Sequence, residues 1–226
     1  MNLKINDQSV FVPSCWDDCT FAQYEDYLAL KENDAFGVIA IFTGIDRKIW
    51  ENSKEVQNFY LIENSLAWLK RKPSKRRIKI MPYEITFDSK TIKVPQSQDD
   101  YIVKEYEDLR ALIQLELKEA KEFPVTFYPK IVAVFLTRRI FPEYNSQNYT
   151  ECVKLVRQLR LYQVLAMGNF FLKSLIELRS GTPKGWHILN TISKKLTQGL
   201  RAFRYGGFLT RLTNYRRVSL QKGRSF

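Results

Sequence analysis

With 226 residues, 45% hydrophobic and 14% aromatic, the chain can bury a substantial core, which excludes disorder over most of its length. No run reaches the ~18 uncharged apolar residues of a membrane span, because the best candidate, Leu161 to Leu172, contains Gln163 and Asn169 and is followed by Lys173. The net charge of +12 is unevenly placed: residues 1–69 carry 5 basic and 11 acidic side chains, 70–80 carry 7 and none, 81–122 carry 6 and 10, 123–180 carry 8 and 3, and 181–226 carry 10 and none.

The first predicted element is a β-hairpin. Leu3 to Ile5 and Ser9 to Val12 are β-prone and flank Asn6-Asp7-Gln8, whose side chains favour a turn. Pro13 cannot donate to a ladder and ends the second strand. Thr20 followed by Gln23 reads as a capping box for a helix with Phe21, Tyr24 and Leu28 on its inner face. Asp34 caps a second helix bearing Phe36, Ile39, Ala40 and Phe42, and Thr43-Gly44 ends it. Ser53 to Lys70 is expected as a third helix with Val56, Phe59, Tyr60, Ile62, Leu66 and Leu69 inward.

At residue 85 the pattern starts again. Leu3 to Leu30 aligns without a gap on Ile85 to Leu112, a constant spacing of 82, with Val12-Pro13 on Val94-Pro95, Asp17-Asp18 on Asp99-Asp100, and Tyr24-Glu25-Asp26 on Tyr106-Glu107-Asp108. A fixed period marks a repeated structural unit. Glu84 to Phe87 and Thr91 to Val94 form the second predicted hairpin, Ile131 to Phe135 answers the second helix, and one long helix from Tyr149 to Arg179 answers the third. Tyr24 and Tyr106 are expected inward, Asp26 and Asp108 exposed. The fold class is therefore α+β and predominantly helical: two tandem related modules, each a β-hairpin followed by about three helices, and a basic C-terminal helical tail. Module 1 spans 1–70, a basic linker 71–83, module 2 84–180 and the interaction arm 181–226, where Trp186 to Phe203 reads as an amphipathic helix.

The sequence assembles no catalytic site. His187 is the only histidine, which leaves nucleophilic schemes and multi-histidine metal sites without partners. Cys15-x-x-x-Cys19 is half of a zinc pattern, and with Cys152 makes an odd count suited to a reducing compartment. Asp17-Asp18, Glu25-Asp26 and their counterparts are best read as helix-start and solvent-face carboxylates. No glycine-rich phosphate loop occurs. We expect no enzyme, no catalytic or metal-binding residues and no cofactor. The start of the chain shows no basic-then-apolar leader, and a soluble protein made in the host cytoplasm is expected.

The functional candidates are cationic. Lys70, Arg71, Lys72, Lys75, Arg76, Arg77 and Lys79 form one run, and Arg201, Arg204, Arg211, Arg216 and Arg217 interleave with Tyr205 and Tyr215 in the tail. Such segments suit backbone phosphates or acidic protein surfaces, whereas a solvated linker that offsets neighbouring acidic faces is the plainer reading of the first run.

Val12, Pro13, Trp16, Thr20 and Gln23, then Phe42, Thr43, Gly44 and Ile45, resemble a family of small bacteriophage morphogenesis proteins encoded among tail and head-tail genes. The resemblance covers about the first 70 residues and, in degraded form, residues 85–178. It implies a non-enzymatic role in virion assembly, as a tail assembly chaperone or a ring-forming structural subunit, acting on other virion proteins or on copies of itself in a homo-oligomer. The alternative expectation is a nucleic-acid-binding protein that uses the linker and the tail.

Overall fold

The computed structural model describes residues 2–179 except 6–7, 32–33, 53–55, 75, 88–89 and 120–123. Strands β1 (Asn2–Ile5) and β2 (Gln8–Phe11) pair antiparallel with Leu3 opposite Val10, and β3 (Glu84–Phe87) pairs with β4 (Lys90–Lys93) with Ile85 opposite Ile92. Each hairpin buries one face. Val10, Ile85 and Ile92 are buried while Ser9, Glu84, Thr86, Thr91 and Lys93 are exposed, the period of two that a half-covered strand requires. Val12-Pro13 and Val94-Pro95 then carry the chain into the interior.

A short 3-10 turn follows each hairpin, Trp16–Asp18 in the first half and Gln98–Asp100 in the second. Four helices follow in each half: α1 (Phe21–Ala29), α2 (Ala35–Thr43), α3 (Arg47–Glu51) and α4 (Val56–Ser65), then α5 (Val103–Glu119), α6 (Phe127–Ile140), α7 (Ser146–Gln158) and α8 (Leu161–Arg179). The described part is thus mostly helical with two small antiparallel hairpins, and its element order runs through twice. Two further 3-10 turns, Leu66–Lys70 and Arg77–Lys79, lie between the halves.

Local chemistry sets the helix starts. Thr20 accepts from the Gln23 amide at 3.2 Å while the Gln23 side chain accepts from the Thr20 amide at 3.0 Å, a complete capping box. In the second half Glu105 reaches back to the Ile102 amide at 3.3 Å, one arm of the same device. Asp34 accepts from the Gly37 amide, and Gly44 closes α2 at φ 71°, where a side chain would be strained.

Three expectations are corrected by packing. Of the segment read as one helix from Ser53 to Lys70, residues 53–55 lie outside the described ones and the rest is α4 followed by the 3-10 turn; Ile62, Leu66 and Leu69 are buried, but Tyr60 is exposed. On a 3.6-residue period Tyr60 falls opposite that stripe and Leu61 on its flank. In α1 Phe21 and Tyr24 are buried while Leu28 is exposed, because the last turn directs Tyr27 inward against Trp16 and Phe42. The long helix expected from Tyr149 to Arg179 is broken at Leu159–Arg160 into α7 and α8. There the Leu159 carbonyl accepts from the Phe21 amide and the Leu161 amide donates to the Cys19 carbonyl, both at 2.9 Å, so Thr20 and Arg160 pair as an isolated antiparallel bridge.

The buried side chains form one cluster drawn from both halves. α6 is its centre, with Phe127, Tyr128, Pro129 and every residue from Ile131 to Thr137 buried, and it packs on α5, α7, α8 and β4. Phe135 stacks on Phe171 of α8 at 4.1 Å, and Tyr101 sits 4.7 Å from Phe135. α6 and α8 approach closely at Gly168, where a Cβ would lie 2.5 Å from the Tyr128 ring.

Candidate interaction surface

The basic run between the halves is pinned down by its own backbone. Trp16 donates its indole N–H to the Arg71 carbonyl at 2.6 Å, and Tyr162 of α8 accepts from the Ser74 amide at 2.7 Å. The turn Arg77–Lys79 then packs on α8, with Ile78 half-buried against the core. The run is therefore a strap tied to both halves through its backbone at Arg71 and Ser74. Its long cationic side chains project instead: Lys70, Arg71, Lys72, Arg76, Arg77 and Lys79 are all exposed. A fixed row of cations raises the local potential more than a freely moving linker of the same composition.

Arg77 meets Asp17 at 3.0 Å. That pair matches the reading in which linker charge offsets an acidic module face, but both side chains are solvated, so it is worth little in stability. Arg160 joins the same corner, its guanidinium donating to the Asp17 carbonyl at 3.3 Å. Sequence reasoning missed Arg160 because it lies more than eighty positions from the strap and only the break between α7 and α8 brings it there. Ile80 and Tyr83, just past the strap, are 60% and 61% exposed and give the cationic row an apolar border. Lys75 and the tail candidates Arg201, Arg204, Arg211, Arg216 and Arg217 lie outside the described residues, as does His187.

The paired carboxylates resolve into separate structural jobs. Asp18 accepts from the Ser14 amide and hydroxyl at 2.9 and 2.7 Å, and Asp100 accepts from the Gln96 and Ser97 amides at 2.8 and 3.0 Å. Those hydrogen bonds hold both carboxyls below the usual carboxylate range. Glu25 pairs with Arg157 of α7 at 2.6 Å, and Asp26 lies 3.8 Å from the same guanidinium. Tyr24 is buried as expected, whereas Tyr106 is only half-buried. Asp26 is exposed, but Asp108 is half-buried. Tyr144 covers it, its phenol pushed up by burial and by its hydrogen bond to Asp108.

A carboxylate that sequence reasoning passed over is the most buried. Glu105 is 1% exposed and pairs with Arg139 of α6 at 2.8 Å. Arg139 also donates to the carbonyls of Phe135 and, at 2.9 Å, Asp100. This ties the start of α5 to α6. Its one sequence signal was position, since Glu105 stands 82 residues after the capping Gln23.

Cys19 and Cys152 are buried, and burial pushes their thiols up to about 12 and about 11. Cys15 is exposed. Among the described residues no group of three or more His, Cys, Asp or Glu side chains is placed to hold a metal ion, and no helix is long and apolar enough to cross a membrane. In comparisons with known proteins, no family model, curated protein or solved structure matches the chain.

Proposed function

We propose that this protein is a non-enzymatic bacteriophage assembly or structural protein. It works through protein contacts, and its basic strap and C-terminal arm dock on acidic partners, either other virion proteins or copies of itself. The observation that carries this reading is the strap: backbone anchors from Trp16 and Tyr162 hold a row of exposed cations on a surface with exposed Ile80 and Tyr83 at its border. Fixed cations beside exposed apolar groups suit a protein surface better than a purely ionic one, because apolar burial supplies the non-directional part of association. The doubled element order supports a tandem duplication, and the resemblance of Val12 to Ile45 to phage morphogenesis proteins supplies the assembly context.

A second reading is favoured by the same cations and by the ten basic and no acidic residues of 181–226: binding of nucleic acid through backbone phosphates. Sedimentation velocity of the full chain, with and without duplex DNA at low and physiological salt, separates the two. Assembly through protein contacts gives species heavier than a monomer without DNA and keeps them at physiological salt. A chain that is monomeric alone and joins DNA only at low salt replaces the assembly reading with the nucleic-acid one. Removing residues 181–226 is expected to leave the two halves folded and to weaken assembly.

A further inference from the structure

The two halves meet at a joint that occurs once among the described residues. α1 packs on α7 and α8, Phe21 is fully buried there, and the paired backbone hydrogen bonds at Leu159 and Leu161 seal the contact. In the second half α5 stands where α1 stands, and packs on α6 as α1 packs on α2. Among the described residues, however, α5 has no comparable packing on α3 or α4. Val103 opens α5 as Phe21 opens α1, yet it is 82% exposed, and Ile102 beside it is 41% exposed.

The receiving side is also left open. α3 and α4 hold the places that α7 and α8 hold in the second half, and they expose Ile49, Tyr60 and Leu61 at 45%, 57% and 54%. Charge follows the same pattern. The joint within the chain pairs Glu25 and Asp26 of α1 with Arg157 in the last turn of α7. At the open edges exposed Glu107 occupies on α5 the position that Glu25 holds on α1, and Lys48 lies in the last turn of α3, whereas Asp108 is covered by Tyr144 of its own chain. A joint between two different surfaces, each of which recurs exposed elsewhere among the described residues, is heterologous and can propagate from copy to copy.

We infer that the start of α5, at Ile102 and Val103, docks on the α3–α4 face of a second copy of this chain. Copies then join head to tail through the same kind of contact that joins the two halves. This rests on the assembly reading above and names the partner.

The test uses two full-length variants, Val103→Arg and Leu61→Arg, both at exposed positions, with thermal unfolding as the check that each folds like the parent. Sedimentation across a dilution series should show head-to-tail species for the parent and their loss in either variant alone. Mixing the two variants should restore a single dimer, because one keeps an intact receiving face and the other an intact α5 edge. Undiminished assembly of Val103→Arg overturns the inference while leaving assembly through the strap intact, and a mixture that forms no dimer overturns it as well. A parent that is monomeric alone also overturns it, and hydrogen exchange at the Val103 amide then reports whether residues 181–226 of the same chain cover the edge. Failure of the broader assembly reading has a different signature, since it appears as heavier species only with DNA and only at low salt.

Discussion

Trp16 and Trp68 are reciprocal: their rings meet edge to face at 4.9 Å, and each donates its indole N–H to a carbonyl three residues from the other, Trp16 to Arg71 at 2.6 Å and Trp68 to Pro13 at 3.1 Å. The pair fastens the end of the first hairpin to the beginning of the basic strap. Trp68→Phe keeps a ring but leaves the Pro13 carbonyl without this donor, for an expected loss of about 1–2 kcal/mol. Trp16→Ala also empties a buried site and should cost about 3–5 kcal/mol. Urea denaturation measures both, and a Trp16→Ala loss no larger than that of the exposed Lys70→Ala would contradict the role assigned to the pair.

Arg139 is expected to matter through Glu105. Its replacement by Met leaves a nearly inaccessible carboxylate without its cation, which typically costs about 3–5 kcal/mol. The double replacement Glu105→Gln with Arg139→Met removes the charge as well and should recover most of that loss. Equal instability of the single and double variants in a denaturant melt would show that shape, not charge, sets the cost.

Thiol labelling should divide the cysteines one against two. In the folded protein near pH 8 iodoacetamide reaches exposed Cys15, while Cys19 and Cys152 are shielded and hold their protons, with thiols raised to about 12 and about 11. Mass spectrometry should find one adduct per native chain and three after unfolding. Rapid native labelling of Cys152 would contradict its place against α6.

Acid should weaken the protein through Asp18 and Asp100. Both are depressed below the ordinary aspartate range, Asp18 chiefly by the Ser14 hydroxyl and Asp100 chiefly by the Gln96 amide. A carboxyl lowered by folding adds stability that is complete above its unfolded pKa of about 3.9 and is lost as the pH falls through the lower native value. The window therefore lies below about pH 4. Asp18→Asn with Asp100→Asn should flatten the fall of the melting temperature in that window, and superimposable profiles for parent and variant would rule the mechanism out.

The sequence by itself determined the elements whose causes are local. The Thr20 and Asp34 caps and the Gly44 stop are all read within a few residues, because cap hydrogen bonds span three or four positions. The strap was legible as a cationic run, but its attachment to Trp16 and Tyr162 was not. Tertiary structure alone decided whatever depends on which surfaces meet. It broke the expected helix at Leu159–Arg160, because the main chain at Cys19 and Phe21 takes up the hydrogen bonds there. It sent Tyr60 to the surface and Glu105 into the interior. It also gave Phe21 and Val103, 82 positions apart, opposite fates: burial belongs to a contact between distant segments, and among the described residues Phe21 is packed between α1 and α8 while Val103 is exposed.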